Sequence, residues 1–112
     1  MAEDCIFCRI IKGEIPSVKV YEDDKMIAIN DVAPAAPVHV LLLPKEHTDS
    51  VVTADPELVA YMLGKVKLIA EKTGIAENGF RVVINTGDDG GQTVKHLHIH
   101  VIGGKALGWP PC

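Results

Sequence analysis

An α+β domain with a mostly antiparallel sheet is the fold class that this 112-residue sequence predicts. Three observations carry it. Five short segments rich in β-branched and apolar residues are separated by Gly, Pro, Asp and Asn; most connections between them are too short to hold a crossover helix; and only one stretch has long helical periodicity. The length suits one domain, residues 1–112, with a single core, and the 47% hydrophobic content argues against disorder.

Each element has its own signal. Asp4 is the expected N-cap of a short helical turn in which Ile6, Phe7, Ile10 and Ile11 share a face, with Gly13 as its end. SVKVYEDD alternates and then turns, and MIAIND reads as its partner strand. Pro34 and Pro37 break the chain before HVLLLP, a strand buried on both faces or nearly so. The one long helix starts at Asp55 as N-cap with Pro56 at the first helical position; Leu58, Met62, Val66 and Ile69 make its stripe, and Gly74 stops it. FRVVINTG is then a strand, GDDGGQT a glycine-rich loop, and VKHLHIHVIGG the last strand. An irregular tail follows, with the only Trp.

Composition excludes several function classes. A formal net charge of -4, from 11 basic and 15 acidic residues without a basic block, speaks against a general nucleic-acid binder. Aromatic residues make up only 4%, too few for a base-stacking platform. The N-terminus has no long apolar core, and no apolar run, Val40 to Pro44 included, approaches the length of a membrane span. Three cysteines without an export signal make a reduced, cytoplasmic protein the expectation.

HLHIH raises the functional question. On a strand, His96, His98 and His100 project to one side and Leu97, Ile99 and Val101 to the other. The apolar set faces the core, so the histidines face solvent, a cleft or a partner. A merely solvated face is a poor account of three histidines in register. They can be metal ligands, two of them sharing a zinc, or a catalytic row with one as nucleophile or base. The loop just upstream favours catalysis. Gly90 and Gly91 let backbone N–H groups converge on an anion, and the Gln92 amide and Thr93 hydroxyl add neutral donors. Cys5-x-x-Cys8 has metal-ligand spacing, yet two buried thiols on a helical turn explain it equally well.

The stretch H-L-H-I-H-V-I, residues 96–102, resembles the histidine triad signature, His-φ-His-φ-His-φ-φ with φ apolar. CIFCRIIKGEIPS, APAAPVHVLLLPKEH, VVINTGDDGGQTVKHLHIHVIGG and the terminal WPP extend the resemblance over nearly the whole chain, most closely to the Hint branch of purine nucleoside phosphoramidases. The resemblance implies a homodimer whose five-stranded sheets join into one of ten strands, with the tail 104–112 taking part. It implies hydrolysis of P–N bonds in AMP- or GMP-type nucleoside phosphoramidates through a nucleotidyl-histidine, with no cofactor needed for catalysis.

By the same resemblance His98 is the nucleophile, His100 supports the α-phosphate, and His39 and His96 belong to the surrounding hydrogen-bond set. Thr93 stands where the family has serine. The nucleoside pocket maps to Ile6, Phe7, Ile10, Ile29, Asn30, Asp31, Val32 and Leu41, with Asp31 on the ribose hydroxyls and Asn30 where the branch often has histidine. Asn85, Gly91 and Gln92 fall near the phosphate, and Trp109 near the partner's site. Some family members hold a structural zinc with two cysteines and two histidines, which here implies Cys5, Cys8, His47 and His96. Two other readings stay open: a nucleotide-binding adaptor with incidental catalysis, and a zinc enzyme using the triad as ligands.

Overall fold

In a computed structural model describing residues 5–111, the elements run α1 (Ile6–Ile11), β1 (Lys19–Glu22), β2 (Met26–Asn30), β3 (Val38–Pro44), α2 (Pro56–Leu63), α3 (Val66–Thr73), β4 (Phe80–Val83) and β5 (Ile99–Gly103). The five strands form one sheet in the order β1-β2-β3-β5-β4, and every neighbouring pair is antiparallel. The α+β expectation with five antiparallel strands is what the chain adopts.

β3 is apolar throughout because both of its faces are covered. Register places Val40 and Leu42 beside Ala28, Ile99 and Val101 on one face, packed under Met62, Val66, Ile69 and Ala70 of the helices. The opposite face carries Ile27, Ile29, Leu41 and Leu43 and is roofed by Phe7 and Cys8 of α1. Fully buried side chains such as Met62 and Ile69 each contribute about 1.5–3 kcal/mol by leaving water.

The long helix expected from Pro56 to Gly74 is present with a tightening in its middle. Asp55 caps it by accepting the Glu57 N–H at 2.9 Å, and Gly74 ends it at φ 79 in the left-handed region. Gly64 and Lys65 interrupt the ladder, where the Lys65 N–H reaches Met62 only three residues back. Glycine in mid-helix permits such a local tightening.

Two boundaries differ from expectation. Asp4 lies outside the described residues; the side chain that caps α1 is Cys5, whose Sγ accepts the Cys8 N–H. The last strand begins only at Ile99, so His96 and His98 precede the hydrogen-bonded ladder. The histidine face is also not open, since His96 is fully buried and His98 is 7% exposed beneath α1. Period-two alternation identifies the face correctly but carries no information about which distant segment covers it. Among the described residues no helix is long and apolar enough to cross a membrane.

Candidate functional site

The sheet and α1 bring the sequence-selected histidines into two adjoining clusters. His98, His100 and His39 form the first. His39 on β3 and His100 on β5 lie on the same sheet face, diagonal to one another across the ladder. The Ala35 N–H donates to His39 Nδ1 at 3.0 Å, which leaves the His39 proton on Nε2. That N–H faces His100 Nδ1 at 2.9 Å, so the His100 proton sits on its own Nε2. Among the described residues, His100 Nε2 is the one buried side-chain polar atom without a hydrogen-bond partner. A fixed, buried donor without an acceptor calls for an anionic or polar ligand. Burial, then the neighbouring His98 and His39 rings, push His100 down to about 4, so its ring is neutral at pH 7 and donates as the tautomer dictates.

His98 is oriented in a complementary way. Its Nδ1 donates to the His96 carbonyl at 2.7 Å, which puts the lone pair on Nε2. The Phe7 ring stands edge-on to it at 5.0 Å, and the His100 ring lies at 5.1 Å. Asp31 comes within 3.5 Å of His39 Nε2 and also accepts the Ala33 N–H at 2.8 Å, which shapes the loop after β2. A cleft of about 410 Å³ opens between this loop, Val38 and Thr73, with Asn30, Asp31 and His39 among its walls.

The other sequence-selected residues fall into distinct environments. Ile29, Leu41 and Phe7 are buried in the core beneath α1, Ile10 packs against them, and Ile6 is exposed. Val32 is 96% exposed at the tip of the loop. Asn85 Nδ2 donates to the Gly90 carbonyl, and Gly91 turns at φ 77. Gly90 must lack a side chain, because a Cβ there would lie 2.3 Å from the Thr86 carbonyl oxygen.

Gln92 corrects an expectation. Its amide is not a free donor: it accepts the Gly87 N–H and donates to the carbonyls of Asp49 and Val94, bracing the loop from within. The Gly91 and Gln92 N–H groups also close turns, onto Asp88 and Gly87. Thr93, exposed beside them, is left to present the loop's side-chain donor. Trp109 is 83% exposed on a tail tied to β4 through Arg81, whose Nη2 donates to the Gly108 carbonyl at 2.6 Å.

Cys5, Cys8, His47 and His96 make the second cluster, with one ligand atom from each within 4.8 Å of all the others. His96 Nδ1 lies 3.4 and 3.5 Å from the two sulfurs and 3.1 Å from His47 Nδ1. His96 Nε2 donates to the Pro44 carbonyl at 2.9 Å, and His47 Nε2 reaches Asp49 at 3.2 Å. Both protons are thereby drawn to Nε2, and the two Nδ1 lone pairs face the Cys5 and Cys8 sulfurs and each other. Two thiols, two imidazoles and outward-facing partners fit a closed tetrahedral zinc site, the arrangement in which a metal stabilises structure. Burial and the neighbouring Cys5 push the Cys8 thiol up to about 11, so it binds a metal only by giving up its proton. Asp31, His39 and His100 also converge within 4.8 Å. They suit a metal poorly, because the Ala35 N–H occupies His39 Nδ1 and leaves a proton on the Nε2 that faces the others.

Comparison with known proteins matches this architecture. The HIT domain family model covers residues 12–107. An uncharacterised HIT-like protein of Synechococcus elongatus is 53% identical, with 99% of each chain covered. A 14 kDa zinc-binding protein of Brassica juncea is 45% identical over 96% of this chain and 99% of that protein. An adenylylsulfatase of Arabidopsis thaliana is 45% identical over 95% of this chain and 75% of that protein. Among solved structures, a HIT family hydrolase from Legionella pneumophila superposes with a TM-score of 0.92 at 40% identity, covering 96% of this chain and 99% of that one. The chain belongs to the HIT domain family, in its histidine triad nucleotide-binding branch.

Proposed function

We propose that the protein is a nucleotide-binding hydrolase that cleaves the P–N bond of purine nucleoside 5'-phosphoramidates, with His98 as nucleophile. One observation carries this reading: a fixed lone pair on His98 Nε2 stands beside a fixed, unsatisfied donor on His100 Nε2. A nucleophile and an oxyanion donor are what attack at a phosphoryl group requires.

In the first step His98 Nε2 bonds to phosphorus as the P–N bond breaks, and the departing amine takes a proton from water. Positive charge on the substituted imidazole is shared with the His96 carbonyl. Charge on the non-bridging oxygens meets His100 Nε2–H. The hydroxide equivalent left by that water then adds to phosphorus, the Nε2–P bond breaks, and the nucleoside monophosphate leaves. Asp31 accepts from ribose hydroxyls, and Ile6, Phe7, Ile10 and Val32 border the base.

The same reading includes a zinc ion held by Cys5, Cys8, His47 and His96, which when bound supplies structural cross-linking with no open coordination position. It also includes a homodimer joined at the β4 edge, where Phe80 and Val82 are each 37% exposed, with the tail beside it shaping the partner's site. Free thiols suit a reducing compartment, the cytoplasm.

Turnover of an adenosine 5'-phosphoramidate by the wild type and by His98→Ala tests the reaction. Loss of the nucleophile is expected to lower kcat by several orders of magnitude, roughly 10⁴-fold or more, with AMP binding retained. Tight AMP binding without turnover by the wild type would favour an adaptor instead.

A further inference from the structure

His98 stands just outside the part of the chain that the sheet holds. The first ladder pair between β3 and β5 is Leu42 with Ile99, so residues 96–98 owe their placement to other contacts. Those contacts run to the cysteine–histidine cluster. The carbonyl that fixes His98 Nδ1 belongs to His96, itself a member of the cluster. The ring against the face of His98 is Phe7, which lies in the single turn between Cys5 and Cys8. Leu97 is tied by its N–H to the carbonyl of Thr48, the residue after His47, at 2.8 Å. Other links run to the sheet, from His96 Nε2 to the Pro44 carbonyl and from the Leu97 side chain into the core, but those that orient the His98 ring from the α1 side end at a cluster residue or its immediate neighbour.

Taking His98 as the nucleophile, as read above, we propose that Cys5, Cys8, His47 and His96 are positioning residues for catalysis as well as a fastening for α1. With zinc seated among them, the His96 carbonyl and the Phe7 ring are held against His98 from two sides. The cluster atoms pack closely, with His96 Nδ1 3.1 Å from His47 Nδ1 and 3.4 Å from Cys5 Sγ, so a change in what they bind moves His96. His96 cannot move away without carrying the carbonyl on which the His98 tautomer depends. Because such coupling is reciprocal, the chemical state of His98 must also be felt at the metal.

The test uses the full-length protein loaded with cobalt(II), whose visible absorption bands report the coordination sphere. AMP binding, and the nucleotidyl-His98 state formed with a phosphoramidate, are expected to shift these bands in the wild type, while His98→Ala shows no shift on phosphoramidate addition beyond that of AMP. In parallel, stripping the metal is expected to lower kcat roughly ten- to a hundredfold, with KM within about threefold and recovery on zinc re-addition. Nitrogen-15 spectra of the His98 ring are expected to change from one tautomer to a mixture. A stripped protein that stays folded with unchanged kcat and an unchanged His98 spectrum would overturn the proposal, as would cobalt bands indifferent to the state of His98. If the stripped protein unfolds, the cobalt measurement alone decides. Absence of turnover in the zinc-loaded wild type would refute the reaction, while the response of the cobalt bands to AMP would still test the coupling.

Discussion

At the scale of single residues, protonation geometry sets what the site can do. One backbone N–H, from Ala35, fixes His39, and His39 fixes His100, so a buried donor is held on His100 Nε2. Replacing His39 by Leu leaves His100 Nδ1 unpartnered and frees its proton to move there. The expected result is a loss of roughly tenfold in kcat/KM, the worth of one oriented hydrogen bond to an anion. Steady-state kinetics on both proteins checks this, and equal kcat/KM would contradict it. The triad was legible in the sequence because three histidines alternate in register, whereas Cys5, Cys8 and His47 are joined into one ligand set only by the family resemblance. The role of Gln92 was not legible, because its three hydrogen bonds run to Gly87, Asp49 and Val94, and the link to Asp49 spans 43 positions. Nothing in its local context distinguishes an amide facing a ligand from one bracing a loop.

At the scale of elements, α1 is too short to be stable on its own and is held to the sheet by Phe7 and Cys8 packed on Ile27, Ile29, Leu41 and Leu43, to which the proposed zinc site adds a cross-link. Elemental analysis of protein purified without chelator is expected to find about one zinc per chain, the content of a single closed site. Less than a small fraction of one, together with unchanged stability in Cys5→Ser, would remove the zinc assignment. The β1–β2 hairpin and α2 are joined by a separate latch. Asp23 accepts from the hydroxyls of Tyr21 and Tyr61, with Lys25 and Lys65 over the Tyr61 ring. Burial works to raise the Asp23 carboxyl, but the Tyr61 and Tyr21 hydroxyls and two backbone N–H groups outweigh it and hold it well below its ordinary 3.8. The contribution of Asp23 is therefore present above about pH 4 and lost as pH falls through the depressed value. Tyr61, pushed up to about 12 chiefly by its bond to Asp23, contributes below pH 10 and loses that contribution as pH rises toward 12. Tyr61→Phe is expected to lower the thermal midpoint at pH 7 by roughly 4 °C, and the difference should shrink at pH 2. Calorimetry at the two pH values checks this; an equal difference at both would contradict it. The five strands and the helix caps Asp55 and Gly74 were readable from local pattern. The late start of β5 was not, since HLHIH alternates whether or not a neighbour pairs with it.

At the scale of the whole molecule, both sheet faces are packed, and only one of them carries the histidines. α2 and α3 cover the other, and α1 roofs part of the histidine face, with His39 at the wall of the cleft beside Asp31. The exposed β4 edge and the adjacent tail are the surface on which the proposed dimer forms. Sedimentation at micromolar concentration is expected to give a dimer. Removal of residues 108–112 should alter substrate preference more than the thermal midpoint, and a monomer with unchanged preference would argue against this assembly. The proposed reaction passes through a covalent nucleotide on His98, which intact-mass analysis during rapid-quench turnover of an adenosine 5'-phosphoramidate detects. One adenylyl group per chain is expected, mapped to His98 and absent from His98→Ala. Full turnover without any adduct, or an adduct mapped to another residue, would contradict it.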